Sequence, residues 1–510
     1  MKLKHLSLSV MMMGAASVTV STQAVASGYH FGSQSVSSQG TAFANGAEAA
    51  DSSTIFYNPA GLSRLDGTQF SGGVTLVIPD SKYTEEGSTR NSGAATGGNN
   101  GGSFAPGLVA APSLYLSHRI NDKITVGLGV FVPFGAKLDY DKTWAGRYAL
   151  QNIKLETFNL NPSVSFKLDD HHAFGFGVSA QHMKAKLAKG VDVASGISNA
   201  VKYTAAGQAL ATSKISAGVV QAVGGQAAYQ TLVTAAAGGN TTAATTLANA
   251  KTAVTAALGK SLAALPDGQA RMDADDWGFG FNLGYMYTLD ENTRFGIAYR
   301  SNIQHKLKGN AIWDYTGVTD PAILAALRAS HDNSAASVDV NTPESVAVNA
   351  FHQLTPTIAL MGDVTWTAHS RMKSIDIKFP GTHEGDLVIK QEWKDTVKVS
   401  VGANYQYSDA VLLRAGLAYD QSPVKNDSLR HPALPDSDRY VVSLGANYKF
   451  NKQSSVDFAY SYMFFKKAKV NFTDTCRIGA DNTCTGNGET TIGNYKTNLQ
   501  MVGLQYNYSF

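Results

Sequence analysis

The stretch WGFGFNLGYMYTL, Trp277 to Leu289, carries a large apolar side chain at every odd position: Trp277, Phe279, Phe281, Leu283, Tyr285, Tyr287 and Leu289. The even positions hold Gly278, Gly280, Asn282, Gly284, Met286 and Thr288. Period two belongs to a β-strand, whose successive side chains point to opposite faces. The same pattern returns downstream. Val397, Val399, Val401, Ala403, Tyr405 and Tyr407 alternate with Lys398, Ser400, Gly402, Asn404 and Gln406, and Tyr440, Val442, Leu444, Ala446, Tyr448 and Phe450 do so with small or polar partners.

A soluble β-sandwich also alternates, and three features separate it from a membrane barrel. Here the large residues share one face, while the other is Gly, Ala, Ser, Asn and Lys. A barrel in an outer membrane turns apolar groups to lipid, rings its interfaces with aromatics and keeps a polar lumen. The strands are long, and short turns such as LDENT (Leu289–Thr293) and FNKQSS (Phe450–Ser455) occur at alternate ends, as in barrels with short periplasmic turns. Finally, the chain ends VGLQYNYSF, with Val502, Leu504, Tyr506, Tyr508 and Phe510 on one face. A terminal Phe on an alternating strand fits a signal for barrel-assembly machinery. Backbone left unpaired in lipid is costly, so the sheet must close. Alternating segments predict about 14 antiparallel strands beginning near residues Thr68, Gly107, Lys123, Arg147, His172, Asp275, Thr293, Val338, Thr357, Leu387, Ala410, Asp438, Ser455 and Asn494.

Composition agrees. Only 16% of the 510 residues are charged, against about 25% in a usual soluble chain, and 22 Tyr, 22 Phe and 49 Gly are present. No apolar run is long enough for a transmembrane helix. Residues 1–26 read as an export signal: Lys2, Lys4 and His5, an apolar stretch from Leu6 to Val20, then Ala24-Val25-Ala26 as the cleavage site. Removing it takes Lys2 and Lys4 from the net +3, leaving about +1, which argues against nucleic-acid binding. Cys476 and Cys484 lie in one loop-like stretch of an exported chain, which points to a disulfide. Too few ligand types surround them for a metal site, no cofactor motif is present, and no G-x-S-x-G nucleophile motif suggests an enzyme.

Several stretches together resemble the FadL family of outer-membrane transporters for long-chain fatty acids and other hydrophobic compounds. They are the small-residue N-terminus ending in NPAGL (Asn58–Leu62), the hairpin WGFGFNLGYMYTLDENTRFGIAYRS (Trp277–Ser301), YDQSPV (Tyr419–Val424) with LPDSDRY (Leu434–Tyr440), and the Tyr-rich last strand. The resemblance implies an all-β, 14-stranded barrel over residues 66–510 with an N-terminal hatch, residues 27–65, inside the lumen. Asn58, Pro59 and Ala60 would be the hatch's rigid turn, and the inward Gly278, Gly280 and Gly284 would leave room for it. Loops at about 189–270 and 310–337 would carry helices that form an apolar capture groove. Thr245–Leu265 has near-helical apolar spacing, and Asp320–Ala329 opens with a Pro in its first turn.

By alternation Ile124, Val126, Leu128, Val130, Val132 and Phe134 face lipid. Pro133 interrupts the strand, since it offers no ladder donor, so a kink is expected over Phe131–Gly135. The resemblance makes Phe131, Pro133, Phe134 and Gly135 a lateral gate. It also matches Lys189 and Lys390 to basic residues that hold a fatty-acid head group, with Lys394 a rival for the second, and sets Tyr29 against the bound chain. The expected partners are long-chain fatty acids or other hydrophobic small molecules, outer-membrane lipids and lipopolysaccharide, and the assembly machinery, with the chain a monomer. Passive fatty-acid uptake is the leading function and uptake of aromatic or other neutral hydrocarbons the alternative; a general porin is disfavoured by a plugged lumen.

Overall fold

A computed structural model describes residues 30–380, 387–474 and 488–510. The export signal, Tyr29, Cys476 and Cys484 lie outside the described residues.

The strands form one antiparallel sheet that closes on itself. The first strand, Thr68–Glu85, pairs with the last, Thr490–Ser509, over an unbroken register from Gln69 opposite Ser509 to Glu85 opposite Gly493. Between them run Val109–Arg119, a third strand in two pieces (Ile124–Phe131 and Gly135–Asp139), Asn152–Lys167, His172–Val191 and Gly268–Thr288. The seventh to tenth strands are each interrupted once, by breaks after Arg300, Thr342, Thr367 and Lys390. Val411–Asp420 and Arg439–Lys449 follow, and the thirteenth strand is broken after Phe465. The wall therefore has 14 strands, as the alternation predicts.

Six connections, 120–123, 168–171, 289–292, 354–357, 407–410 and 450–453, are four-residue turns at one end. Their second residue often closes the turn through its side chain: Asn121, Asp169, Asp290 and Asn451 accept from two following backbone N–H groups. Short polar side chains satisfy backbone in this way, which is why they select turns. Long connections gather at the other end and include helices Val193–Tyr203, Ala205–Ala222, Gln226–Ala237, Thr241–Ala263 and Pro321–Ser330. Asp320 caps the last of these by accepting from Ala322 and Ile323.

The period-two reading places the outer face correctly. Trp277, Phe279, Phe281 and Leu283 are exposed, and Gly278, Asn282 and Gly284 are buried. The ring Ile120, Leu168, Leu289, Leu354, Tyr407, Phe450 and Phe510 is exposed at the short-turn end, where an aromatic and aliphatic girdle meets a membrane interface.

The interior differs from the uniformly polar lumen expected. Towards the short turns it is polar, with Asn161, Ser165, Asn282 and the buried Arg414–Asp457 ion pair. Towards the long loops it is apolar. Tyr83, Phe104, Phe134, Leu138, Tyr140, Trp144, Leu150, Trp393, Phe472 and Tyr495 belong to one buried cluster. Loop residues that do not alternate supply half of that lining, so strand periodicity could not reveal it.

Gly278 and Gly280 also serve a purpose other than the one expected. A Cβ on either would meet Ile303, at 2.5 and 2.7 Å. The sixth strand pairs with the seventh through Asp275–Lys308 and again from Asn282–Arg300, and the residues between have no ladder partner there. The two glycines let Ile303 fold across that gap. Gly284 does border the N-terminal segment.

Candidate functional site

Residues 30–65 run inside the barrel and touch its wall on many sides. The backbone N–H of Val36 donates to Gln505 at 3.0 Å, Arg294 Nε to the carbonyl of Ala47 at 2.6 Å, and Tyr115 Oη to the carbonyl of Gln34 at 2.9 Å. Asn404 Nδ2 donates to Glu48 at 2.6 Å. These partners come from the last, seventh, second and tenth strands. The segment folds into short helices, Val36–Gly40 and Thr54–Tyr57, and a 3-10 turn over Pro59–Arg64.

Asn58, Pro59 and Ala60 are fully enclosed. Asn58 Oδ1 accepts from the Ala60 N–H at 3.1 Å, and its Nδ2 donates to the carbonyl of Tyr285 at 3.1 Å. Pro59 stands at the first position of the 3-10 turn, where its missing N–H costs nothing. Ser165 Oγ donates to the Ala60 carbonyl at 3.1 Å. The wall accommodates this turn through absent side chains: a Cβ on Gly175 would lie 2.2 Å from Ala60 N, and one on Gly284 2.2 Å from Asn58 Oδ1.

The third strand breaks where Pro133 stands. Its ladder with the fourth strand stops at Phe131–Asn159 and resumes at Gly135–Glu156, so three residues oppose two. Freed groups find other partners. The Pro133 carbonyl accepts from Phe31 N at 2.8 Å, and Gln34 Nε2 donates to the Val132 carbonyl at 2.7 Å. Thr157 Oγ1 accepts from Phe134 N at 3.0 Å and donates to the Phe134 carbonyl at 2.7 Å. On the other side, the second strand pairs with the third only from Leu114–Val130 to Arg119–Thr125. Val109–Ser113 and Gly135–Asp139 therefore have no ladder between them, and the wall lacks backbone pairing there.

This corrects the facing of two residues. Val132 and Phe134, expected toward lipid, are buried. The chain leaves the ladder after Phe131, so alternation stops there. Phe131 packs inward against Phe56, at 5.1 Å between ring centroids, and against Tyr115; Phe134 meets His30 at 5.3 Å.

Above the break lies the apolar cluster. Tyr140 and Trp144 stack at 4.0 Å and Phe104 and Tyr140 at 4.5 Å, while Tyr83 meets Trp144 edge-on at 5.3 Å. The Tyr140 hydroxyl bonds Tyr495 at 3.0 Å, and Trp144 Nε1 donates to the Leu150 carbonyl at 2.6 Å, so the polar tips of these rings are satisfied without water. Beside the cluster Lys189 is buried and pairs with Asp474 at 3.4 Å, joining the fifth strand to the residue that follows the thirteenth. His431 packs edge-on against Phe472 at 4.7 Å. Burial holds its pKa down to about 4, and its Nδ1 accepts from Ala433 N at 3.1 Å. Lys390 is exposed, on the opposite face of its strand from Ile389, which belongs to the apolar cluster; Lys394 is also exposed. Only the first of the matched lysines thus lies inside the molecule.

Residues 17–510 match the family described as outer membrane protein transport protein (OMPP1/FadL/TodX). The chain belongs to this family. It is 33% identical to the outer membrane protein NMB0088 of Neisseria meningitidis serogroup B, over 98% of each chain. It is 28% identical to the long-chain fatty acid transport protein of Escherichia coli K12, over 89% of this chain and 91% of that one. A FadL homologue of Pseudomonas aeruginosa has the same fold, with a TM-score of 0.75 and 24% identity over 95% of this chain and 100% of that structure. This chain is accordingly an outer-membrane transport barrel and not an enzyme.

Several participants had no sequence signal. Thr157, Gln34 and Asp474 act on backbone or charge far away in the chain. Tyr140 and Trp144 could have been suspected, because DYDKTWAGRY concentrates aromatics in a stretch without alternation.

Proposed function

We propose that this chain carries long-chain fatty acids passively across the outer membrane and releases them sideways through the wall beside its third strand. The observation that carries the reading is the continuity of two features: an apolar interior cluster on the long-loop side, and directly beneath it a wall without backbone pairing between Val109–Ser113 and Gly135–Asp139. Ala136 and Leu138 belong to both.

Each methylene kept out of water is worth about 0.8 kcal/mol. An acyl chain would therefore leave the cluster for bilayer hydrocarbon more readily than for an aqueous compartment. Residues 30–65 would act as the hatch, stopping straight passage while their bonds to Val132 and Pro133 hold the break in its kinked shape. Phe131, Pro133, Phe134 and Gly135 would form the gate. Lys189 would receive the carboxylate once Asp474 gives way, a charge-assisted exchange of one carboxylate for another. The curated relative from Escherichia coli is named as a long-chain fatty acid transport protein, which supports this cargo. Uptake of neutral aromatic hydrocarbons is the second reading, favoured by the wholly aromatic Tyr83, Phe104, Tyr140 and Trp144 stack.

The deciding experiment measures radiolabelled oleate and toluene uptake by cells with and without the gene. Loss of oleate uptake without the gene is expected. Oleate uptake unchanged while toluene uptake falls would transfer the assignment to hydrocarbons.

A further inference from the structure

The outer face of the wall carries a row of three lysines that the transport reading does not use. Lys137, Lys154 and Lys186 stand directly opposite one another on the third, fourth and fifth strands, in the registers Lys137–Lys154 and Lys154–Lys186. All three point outward, because their neighbours Ala136, Leu138, Ile153, Leu155 and Leu187 face the interior cluster. Like charges placed directly across a ladder are destabilising. Glu156 and Asp273 offset part of this, at 2.7 Å from Lys154 and 2.6 Å from Lys186. Lys137 has no ion-pair partner among the described residues.

The adjacent row adds Lys184 and, across Asp275, Lys308. Five lysines then face Asp139, Glu156, Asp273 and Asp275, a surplus of one positive charge. The height of the row is informative. Below both charged rows on the same outer face, Phe158 and Trp277 meet edge-on at 5.2 Å, and the outward apolar run continues down the sixth strand to Leu289. Twelve steps of about 3.3 Å, tilted by about 40°, span roughly 30 Å, close to the apolar band of an outer-membrane barrel. The lysine row thus lies two outward-facing rows beyond Phe158 and Trp277, on the head-group side of the hydrocarbon edge towards the long loops.

We propose that this row docks the phosphate groups of an anionic lipid in the outer leaflet. Charge complementarity selects the head group: ammonium groups in line suit more than one phosphate oxygen, and Lys137, without an ion-pair partner among the described residues, can meet one. The lipid's acyl chains would lie along Phe158 and Trp277.

The test uses the full chain in phosphatidylcholine nanodiscs, titrated with diphosphoryl lipid A and read by native mass spectrometry. Wild type is expected to retain the lipid, with affinity falling as salt rises. A Lys137→Gln, Lys154→Gln, Lys186→Gln variant is expected to bind at least tenfold more weakly, and Lys137→Gln alone about threefold. Lys449→Gln, at the short-turn end of the wall, should bind as wild type. Unaltered far-UV circular dichroism shows that each variant is folded, and the single variant serves if the triple one is not. Equal affinity of wild type and the folded lysine variants would overturn the proposal, as would equal loss in Lys449→Gln. Retention of oleate but not of the phosphorylated lipid would overturn it too.

Discussion

Two residues show how single side chains hold this interior together. At Gly284 a Cβ would fall 2.2 Å from Asn58 Oδ1 and 2.9 Å from Pro59 Cδ. Gly284→Val should therefore push the Asn58–Ala60 turn away from the wall and remove the Asn58–Tyr285 hydrogen bond, at a cost of about 1–3 kcal/mol of overpacking. The barrel should still form, and conductance in planar bilayers should rise above wild type as water finds a path past the turn. His431 makes a pH prediction. Its folded pKa is near 4, below the ordinary 6.5, because burial disfavours the imidazolium and Nδ1 is engaged as an acceptor. Between those values the unfolded segment binds the extra proton, so stability rises with pH across this window and is lost as pH falls from about 6.5 to about 4. Hydrogen exchange of the amides in 421–438 should accelerate over that interval, and His431→Gln should flatten the dependence.

At the scale of elements, the broken third strand is the informative one. Pro133 removes a donor, but a missing donor alone would give only a local bulge. The larger departure is fixed by side chains from elsewhere: Gln34 on the Val132 carbonyl and Thr157 on both polar groups of Phe134. Pro133→Val restores an N–H and a β-branched side chain suited to a strand. It is expected to slow oleate uptake severalfold while leaving the melting temperature within a few degrees; uptake at the wild-type rate would argue against a role for the break. Pro133 marked the kink in the sequence but did not by itself decide it, since Pro79 and Pro112 stand in ladders that run on unbroken. The inward facing of Val132 and Phe134 was not legible there, since alternation assumes that the ladder continues.

For the whole molecule, closure is the controlling condition. The last strand completes the wall by pairing with the first along its full length and with the thirteenth on its other side. Phe510 ends it, exposed, with its N–H donating to the Thr68 carbonyl at 2.9 Å and its ring edge-on to Tyr508 at 4.8 Å. Phe510→Asp places a charge at the lipid interface and alters the terminal aromatic. The fraction of chains reaching the outer membrane as a heat-modifiable barrel on gels should fall severalfold, although purified protein refolded in detergent should differ little.

The sequence by itself determined the wall. Period two, four-residue turns closed by Asn and Asp, and aromatics gathered at strand ends specify which residues meet lipid, because each depends on neighbours close in the chain or directly across a ladder. It also marked the enclosed Asn58-Pro59-Ala60 turn, since that conformation is set by the residues in it. What lies within the wall was decided only by the tertiary structure. The apolar half of the interior is assembled from loops brought together across the barrel, Trp144 against Tyr83 and Phe472 against His431. Lys189 has its partner 285 positions away in Asp474, and Gly278 and Gly280 make room for Ile303 rather than for the N-terminal segment. Such contacts follow from where a closed cylinder places distant segments, and no local period encodes that.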